Sequence, residues 1–322
     1  MSRPFAPRLR VSSYLSDWMP SGDTARNSVA GYFAGGYGGA YLSGIERIAF
    51  PADTKTTLSA TLSGGKYLNA GFANSGVAGY LYAGVEAGST STEIEKVALP
   101  AETTSVLTAT ASISGFVCAG FANSGVAGYA AGFYDGNRYT AIDKLTFSSD
   151  ARSVLSATIT TGVLGPYAFA KNTVAGYFAG GSGSGGRITG IDKITFPSDT
   201  KSTLSATLSV ARSQGGGFAD NDIAGYVAGG SDVSNNLSSI EKLAFSNETM
   251  STLSATLTNA AYYGNGFADS GVAGYNAGGN TSAVYLSGID KIAFPADTKT
   301  TLSATLTTAS EGVVGFSNQG VF

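Results

Sequence analysis

The chain has 322 residues, no histidine, and 19 Lys and Arg against 22 Asp and Glu, which gives a net charge of −3. Charged residues make up only 13% of it, so the surface must be built largely from Ser, Thr, Asn and Gly, and no basic stripe is available for nucleic acid. No apolar run reaches the roughly 18 residues that membrane insertion requires. The lack of histidine removes the commonest general base and the His-ligated metal sites. We therefore expect neither an enzyme nor a metal or cofactor site.

Residues 1–28 come before any repeated pattern. They lack the apolar core of a secretory signal, and they contain Arg8, Arg10 and Trp18. A single tryptophan outside a repeat is typical of an anchor at a protein interface, although packing beneath the rest of the protein explains it equally well. We predict an N-terminal extension that docks the protein through these three residues, in a protein that is made in the cytoplasm.

From residue 29 onward one motif returns six times, at intervals of 48 or 49 residues. The motif is [Val/Ile]-Ala-Gly-Tyr, and its tyrosines are Tyr32, Tyr80, Tyr129, Tyr177, Tyr226 and Tyr275. A Gly-rich, β-patterned repeat of this length indicates a ring of small sheets. Residues 29–322 are therefore predicted to form one domain of repeated modules.

Each repeat divides into four short β-patterned segments, which we name strands a to d. In the fifth copy, strand a spans residues 216–220, b 223–230, c 240–245 and d 251–257. Segments of this length, separated by Gly, Asn, Asp and Ser, are typical of a four-stranded meander. Strands a and b hold almost only small residues apart from one Phe and one Tyr, so we place them innermost, with the rings in the wedges between sheets.

The copy numbers of strands a and b predict how the chain closes. Strand b first occurs near residue 29 and has six copies, whereas strand a first occurs near Phe72 and its sixth copy contains Phe316. The C-terminal strand is therefore expected to become strand a of the first module. The predicted fold is all-β, a six-bladed β-propeller of four-stranded blades with its ring closed by the C-terminal strand, which leaves no free sheet edge.

Two elements of the repeat resemble kelch-type propellers, the family that includes galactose oxidase. One is a Gly-Gly pair at residues 35–36, 180–181, 229–230 and 278–279, and the other is an acid-Thr turn at residues 53–54, 199–200, 248–249 and 297–298. The chain departs from the family at the conserved tryptophan, which is leucine here, as in Leu58 and Leu107. The copper site of galactose oxidase is not implied, because it needs histidine. The repeat style also resembles bacteriophage virion proteins, which implies a tail or capsid appendage.

Turns alternate between the two ends of a meander, so the b–c and d–a connections are expected at one end and the a–b and c–d turns at the other. The a–b and c–d turns are nearly constant, whereas the b–c and d–a connections vary and carry tyrosines. Varied loops on a rigid scaffold are typical binding sites, although unconstrained drift also produces variation. The predicted ligand- or partner-binding residues are Tyr37, Tyr41, Tyr134, Asn137, Arg138, Tyr139, Arg187, Asn235 and Tyr285 in b–c connections, and Tyr67, Tyr167, Tyr262 and Tyr263 in d–a connections.

Three other features receive structural interpretations. Every strand c carries an adjacent acid-base pair, such as Glu95-Lys96, whose members point to opposite faces and are predicted to bind neighbouring blades or solvent. Asp220 and Asp222 offer oxygen ligands for calcium, but only one copy has them, so no metal site is predicted. Cys118 lies among small apolar residues and is predicted to be a buried hydrophobe.

By elimination, the sequence predicts a non-enzymatic structural and recognition protein. Its partners are expected to be a host-surface glycan or other virion proteins, and the sequence is compatible with a homo-oligomer. Its expected location is the virion. The alternative is an intracellular, cytoplasmic kelch-type adaptor that binds one protein through the same face. Nucleic-acid binding and membrane insertion are not expected.

Overall fold

The computed structural model describes residues 29–318, which form strands and turns without a helix. The predicted anchor residues Arg8, Arg10 and Trp18 lie outside the described residues. In chain order the strands are β1 (Ala30–Ala34), β2 (Ile45–Ala49), β3 (Thr54–Thr57), β4 (Lys66–Tyr67), β5 (Ala70–Asn74), β6 (Ala78–Tyr82), β7 (Val85–Glu86), β8 (Ser89–Thr90), β9 (Ile94–Ala98), β10 (Thr103–Val106), β11 (Ala119–Asn123), β12 (Ala127–Ala131), β13 (Ala141–Thr146), β14 (Ala151–Thr158), β15 (Tyr167–Lys171), β16 (Ala175–Ala179), β17 (Ser182–Gly183), β18 (Gly186–Arg187), β19 (Ile191–Thr195), β20 (Thr200–Thr203), β21 (Gly216–Asp220), β22 (Ala224–Ala228), β23 (Ser239–Ala244), β24 (Thr249–Thr256), β25 (Asn265–Asp269), β26 (Ala273–Ala277), β27 (Ile289–Ala293), β28 (Thr298–Thr301) and β29 (Val314–Ser317).

The longer strands form six antiparallel sheets of four strands each. Sheets two to six run in the orders β5-β6-β9-β10, β11-β12-β13-β14, β15-β16-β19-β20, β21-β22-β23-β24 and β25-β26-β27-β28. The first sheet has the order β29-β1-β2-β3, with Tyr32 of β1 opposite Phe316 of β29. Strand a of the first sheet is therefore the last described strand, as the copy numbers predict. Two small sheets, β4-β7-β8 and β17-β18, lie in connections predicted as loops.

The six strands a are the innermost strands, and each contacts strand a of both neighbouring sheets. The contacting pairs are β5 with β11, β11 with β15, β15 with β21, β21 with β25, β25 with β29, and β29 with β5. Small residues allow this approach: at Gly71, for example, an added Cβ would overlap the Gly315 carbonyl. An all-β chain of antiparallel four-stranded sheets packed in this way has a propeller-like fold.

An aromatic stack fills each wedge between neighbouring sheets. Phe72 of β5 and Tyr80 of β6 stack with ring centroids 5.6 Å apart, and Phe147 of the third sheet lies beyond Tyr80 at 5.3 Å. The Phe72 ring reaches the third sheet at Gly128, where an added Cβ would overlap it. The same relation to a neighbouring phenylalanine holds at the equivalent glycines Gly31, Gly79, Gly176, Gly225 and Gly274. The repeated glycine therefore makes room for its neighbour's ring.

The basic member of the strand c pair links each sheet to the next one. Lys96 and the Tyr80 hydroxyl of the second sheet both bind Asp150 in the c–d turn of the third, at 2.7 and 3.0 Å. The series returns to the first sheet, where Asp53 accepts a hydrogen bond from Tyr275 of the sixth sheet at 2.6 Å. Burial and the adjacent carboxylate raise the pKa of Tyr80, so its hydroxyl stays a proton donor.

The acidic member of the same pair binds in the opposite direction. Asp143 of the third sheet accepts a hydrogen bond from the Ser112 amide in the preceding connection at 2.7 Å. Glu46 of the first sheet accepts one from the Thr307 amide, also at 2.7 Å. The two members therefore bind different neighbouring sheets, as the alternation of side chains along a strand predicts.

A series of six main-chain hydrogen bonds runs around the axis, and we call it the axial belt. It uses one residue from each d–a connection: Leu68, Val117, Gly165, Gln214, Tyr263 and Gly312. Each N–H donates to the carbonyl of the belt residue one sheet earlier, at 2.6 to 2.9 Å, and Leu68 donates to Gly312. All six residues share a left-handed φ between 57 and 67° despite their different side chains. A cavity of about 60 Å³ lies on the axis beside the belt.

Asp220 ends strand a of the fifth sheet, at a position that holds Asn74 and Asn123 in two other sheets. The residue is 1% exposed, and neither carboxylate oxygen has a hydrogen-bond partner among the described residues. Burial raises the pKa of this carboxyl, and nearby Lys242 offsets the rise only in part. Because a buried carboxylate without hydrogen bonds is costly, Asp220 weakens the fold near neutral pH.

We expect Asp220→Asn to raise the free energy of unfolding at pH 7 by about 1 to 3 kcal/mol, because it removes a buried charge. The folded-state pKa of Asp220 lies above its ordinary value, so its stabilising protonation is complete at acid pH and is lost as the pH rises. The advantage of the variant should therefore be small near pH 4 and largest at neutral pH. Urea unfolding across that range measures it.

The matched control is Asn123→Asp, which places the same buried carboxylate in the third sheet, where the residue is 4% exposed. This change should lower stability at pH 7 and have less effect at pH 4. An Asp220→Asn protein that is less stable than the parent at pH 7 would contradict the interpretation.

Candidate binding face

The b–c and d–a connections meet at one end of the molecule, where each d–a connection pairs with the b–c connection of the sheet that it enters. The paired residues are Tyr37 with Glu311, Tyr67 with Val85, Phe116 with Tyr134, Leu164 with Ser182, Ser213 with Ser231, and Tyr262 with Asn280. We call this end the variable face, and it comprises residues 36–42, 84–91, 132–139, 181–188, 230–237, 279–286, 63–68, 112–117, 160–165, 209–214, 258–263 and 307–312. Short β-bridges therefore hold both sets of variable connections on one face.

Four of the predicted tyrosines come together where the sixth, first and second sheets meet. This tyrosine patch comprises Tyr37, Tyr41, Tyr67 and Tyr285, with ring centroids 5.2 to 5.9 Å apart in tilted and edge-on arrangements. Tyr41 is 37% exposed, and the other three rings are partly buried. Rings at these distances pack against one another, so the four tyrosines form one continuous aromatic cluster.

Two tyrosines of the patch, Tyr67 and Tyr285, have raised pKa values and keep their hydroxyl protons near neutral pH. Burial is the main cause that raises the pKa of Tyr67, and it also raises the pKa of Tyr285. Glu311 lies beside the patch and accepts a hydrogen bond from Asn280 Nδ2 at 2.9 Å. Burial raises the pKa of the Glu311 carboxyl as well. The patch therefore offers ring faces and hydroxyl groups, with one carboxyl at its margin.

A second aromatic group lies on the third sheet. The Arg138 guanidinium lies over the Tyr134 ring, 5.2 Å from its centroid, and Phe116 packs edge-on against the same ring at 5.4 Å. Arg138 Nε also donates to the Ser182 carbonyl of the fourth sheet at 2.8 Å. Arg138 is therefore held between a ring of its own sheet and the main chain of the next, so it stabilises the seam.

Asn137 and Tyr139 belong to a turn that Asp135 organises. The Asp135 carboxylate accepts hydrogen bonds from the Asn137 amide at 3.0 Å and from the Tyr139 hydroxyl at 2.9 Å. The hydrogen bond from the backbone N–H of Asn137 is the main cause that lowers the pKa of Asp135, and the hydrogen bond from the Tyr139 hydroxyl lowers it further. Asn137 is exposed and Tyr139 is partly buried, and the polar groups of both residues already bind Asp135.

Arg187 bridges the fourth and fifth sheets. Its Nη2 donates to Ser231 Oγ at 2.9 Å, and its Nε donates to Ser213 Oγ at 3.1 Å. Both serines are buried. One edge of the Arg187 guanidinium is therefore occupied by a structural contact. Arg187 also lines a cavity between the third and fourth sheets.

In the fifth sheet the equivalent bridging residue is Asn236, one position after the predicted Asn235. Asn236 pairs with Ser231 and donates to Ser282 Oγ of the sixth sheet at 3.2 Å. Asn235 lies in the turn, where its N–H donates to Asp232 at 2.6 Å. Sequence spacing could not separate these two neighbours, because the b–c turns do not all have the same number of residues.

The prediction that Tyr167 lies on the variable face is wrong. Tyr167 is the first residue of β15 and is 0% exposed. Its hydroxyl donates to the Gly229 carbonyl of the fifth sheet at 2.8 Å, and its ring occupies the space that a side chain at Gly230 would need. The Gly-Gly pair of the fifth copy provides room for this buried ring, so Tyr167 stabilises the seam between two sheets.

Tyr262 and Tyr263 are neighbours with different surroundings. Their rings meet edge-on at 4.8 Å. Tyr262 pairs with Asn280 on the variable face, whereas Tyr263 belongs to the axial belt, lines the axial cavity, and accepts a hydrogen bond from Gln214 Nε2 at 2.9 Å. Only Tyr262 is therefore placed like the residues of the tyrosine patch.

The sequence did not predict that Lys66 and Arg212 are buried structural residues, because both lie in the variable d–a connections. Lys66 Nζ lies 3.2 Å from Glu95 Oε2, and Arg212 Nη2 lies 2.9 Å from Glu241 Oε1. In both pairs the side chains are almost fully buried. The sequence does carry a sign of this role, because Lys66 and Arg212 are the charged residues at a position that is uncharged in the other copies: Gly115, Val163, Ala261 and Ser310.

Cys118 is buried, and burial raises the pKa of its thiol to about 12, so the thiol stays protonated. Within residues 29–318, no three acidic or thiol side chains are grouped closely enough to hold a metal ion. Over the same residues, no helix has the length and apolar character needed to span a membrane.

Comparison with known proteins supports the fold. No family model matches the chain, and no curated protein matches it in sequence. The chain is similar to the solved structure of YjhT, a β-propeller-type protein, with a TM-score of 0.67 and 14% sequence identity over 84% of this chain and 97% of that one. At this identity the likeness concerns the fold alone, and it places the chain among propeller-like all-β proteins.

Proposed function

We propose that the six sheets are the blades of a closed, kelch-like β-propeller that spans residues 29–322. Three contacts between the last repeat and the first support closure: the pairing of β29 with β1, the hydrogen bond from Tyr275 to Asp53, and the donation of Leu68 to Gly312 in the axial belt. A closed disc leaves no innermost edge open. It also makes the variable face a rigid platform.

We propose that this platform is a non-enzymatic recognition module of a bacteriophage particle, in a tail or capsid appendage. Its tyrosine patch binds a host-surface glycan or a neighbouring virion protein. The observation that carries the proposal is the patch itself, four partly exposed phenol rings held on β-bridged connections. Tyrosine supplies flat stacking area and a hydroxyl at a low cost in side-chain entropy, as in other recognition surfaces.

The charges on the variable face favour binding over catalysis. Hydrolysis of a glycosidic bond usually needs two carboxyl groups that flank one bond. Asp135 and Asp232 are held in their own turns, by Asn137 and by the Ser234 and Asn235 amides. Residues 1–28, which lie outside the described residues, attach the module to the particle under this proposal.

The double variant Tyr41→Ala/Tyr67→Ala tests the patch. We expect about a 30-fold weaker affinity for the bound glycan or virion protein, because two central aromatic anchors are removed. A glycan array and a pull-down from disrupted particles identify the ligand, and calorimetry then gives the affinity. The matched control is Val233→Ala, which removes a side chain that is 79% exposed on the same face and should leave affinity unchanged.

Unchanged affinity in the double variant would show that the binding site lies outside the tyrosine patch. Binding to a cellular protein with no association to particles would favour the adaptor function. Hydrolysis of a saccharide by the purified protein would overturn the non-enzymatic role.

A further inference from the structure

A cavity of about 390 Å³ lies where the third and fourth sheets meet, beside strand c of the fourth sheet. We call it the fourth-sheet cavity. Its volume is within the range of small-molecule sites. The walls are mainly apolar, and the polar residues include Asp192, Thr160 and Arg187; the apolar walls come from Ile159, Val163, Pro166, Phe178 and Ile188.

The chain fills the equivalent space in three other sheets with one of its own side chains. Each of these side chains has an apolar stem and a polar tip that ends on the acidic residue of strand c. Lys66 reaches Glu95 in the second sheet, Tyr82 donates to Asp143 in the third, and Arg212 reaches Glu241 in the fifth. This space therefore accepts an elongated apolar group with a hydrogen-bond donor at its end.

Small residues stand at both positions, one in the third sheet and one in the connection to the fourth, from which this space is filled elsewhere. Val163 stands where Lys66 and Arg212 stand in their connections, and Ala131 stands at the end of strand b where Tyr82 stands. The equivalent cavities of the first and sixth sheets measure only about 130 and 40 Å³. The fourth-sheet cavity is thus the largest of the three that are open in the described part of the chain.

The carboxylate at the polar end has an unused acceptor position. Asp143 Oδ2 accepts two hydrogen bonds, from the Ser112 amide and the Tyr82 hydroxyl, both at 2.7 Å. The equivalent Asp192 Oδ2 accepts one, from the Thr160 amide at 2.6 Å. A carboxylate oxygen has two lone-pair positions, so Asp192 Oδ2 can take the donor that Tyr82 supplies to Asp143.

The charged side chains around the cavity favour a neutral ligand over a charged one. Lys201 Nζ already lies 3.1 Å from Asp192 Oδ1, and Arg187 lines the cavity. A second cation would meet these positive groups, whereas a carboxylate placed next to Asp192 would be repelled. A hydroxyl donates a hydrogen bond to Asp192 without adding charge.

We propose that the fourth-sheet cavity binds a small neutral molecule with an aromatic or aliphatic body and a hydroxyl group, which donates to Asp192 Oδ2 as Tyr82 donates to Asp143. The body packs on Phe178, Val163 and Ile188. The cavity is separate from the tyrosine patch, so this site goes beyond the recognition function proposed above and does not depend on it.

The test uses p-cresol, which reproduces the side chain of Tyr82, with the full-length protein. Calorimetry should give a Kd on the order of 0.1 to 1 mM, and NMR should show contacts from p-cresol to the Val163 and Ile188 methyl groups. Toluene lacks the hydroxyl and should bind at least about fivefold more weakly. N-acetyltyrosine amide separates two sources of the phenol, because its binding indicates a tyrosine of a partner protein and its exclusion indicates a free small molecule.

Two filled variants locate the binding. Ala131→Tyr, which copies Tyr82 at the end of strand b, should fill the cavity and abolish p-cresol binding while the protein keeps its circular dichroism spectrum. Ala277→Tyr makes the same change next to the smaller cavity of the first sheet and should leave p-cresol binding intact. No binding up to the solubility limit, equal affinity for toluene, or unchanged binding in a folded Ala131→Tyr protein would each overturn the proposal.

Discussion

Replacing Gly128 with alanine is expected to lower the free energy of unfolding by about 3 kcal/mol or more, the upper range for overpacking a core. A Cβ at this position would overlap the Phe72 ring. That ring is fully buried, stacks on Tyr80 with centroids 5.6 Å apart, and packs in tilted arrangements against Tyr82 and Phe147 at 5.8 and 6.3 Å. It therefore has little freedom to move aside. Urea unfolding followed by far-UV circular dichroism measures the loss.

The matched control is Gly288→Ala, because an added Cβ there meets nothing within 4 Å and its φ is ordinary. This variant should match the parent or gain a few tenths of a kcal/mol from reduced chain entropy. Combining Gly128→Ala with Phe72→Leu should recover part of the stability, since the smaller side chain relieves the overlap. Equal stabilities for the Gly128 and Gly288 variants would show that the wedges tolerate an extra methyl group.

Removing residues 313–322 is expected to destabilise the protein by more than about 5 kcal/mol, enough to prevent cooperative folding in most domains. The deletion takes away β29, whose Val314 and Phe316 are fully buried, and the stack of Phe316 on Tyr32 at 5.1 Å. It also exposes the edge of β1, so the shortened chain should associate through that edge. Thermal unfolding and light scattering measure the two effects.

A circular permutant separates the loss of a strand from the loss of a chain end. In it, residues 308–318 precede residue 29 through a Ser-Gly linker, which copies the Asn74-Ser75-Gly76-Val77 turn of the second sheet, and the new chain ends lie at the exposed Thr307 and Thr308. Compared with unpermuted 29–318, it should unfold cooperatively within about 1 kcal/mol, because every strand keeps its neighbours. A permutant as unstable as the deletion would mean that β29 does not complete the first sheet.

The strand pattern could be predicted because each repeat supplies an independent example of the same local signals. The pairing of Phe316 opposite Tyr32 followed from counting the copies of strands a and b, and the shared variable face followed from the alternation of turns. The bridges formed by the acid-base pair were predictable only as contacts with neighbouring sheets. Their partners, such as Asp150 for Lys96, depend on how the sheets are packed.

The candidate site was predictable as a face but not as individual side chains. Tyr37, Tyr41, Tyr67 and Tyr285 meet because three different connections converge at one seam. Tyr167 looked equivalent in sequence, yet it lies one residue inside a strand and is buried. The fourth-sheet cavity is open because Val163 and Ala131, which are distant in the sequence, are both too small to fill it, and no local pattern reports that.

The axial belt bears on how freely this protein can be altered. Since its bonds join only peptide groups, Leu, Val, Gln and Tyr serve in it alongside two glycines. Side chains on the variable face can therefore change without breaking these main-chain hydrogen bonds. A combinatorial library randomised at the exposed positions of this end should consist mostly of folded members, which makes the molecule a natural scaffold for selecting new binders.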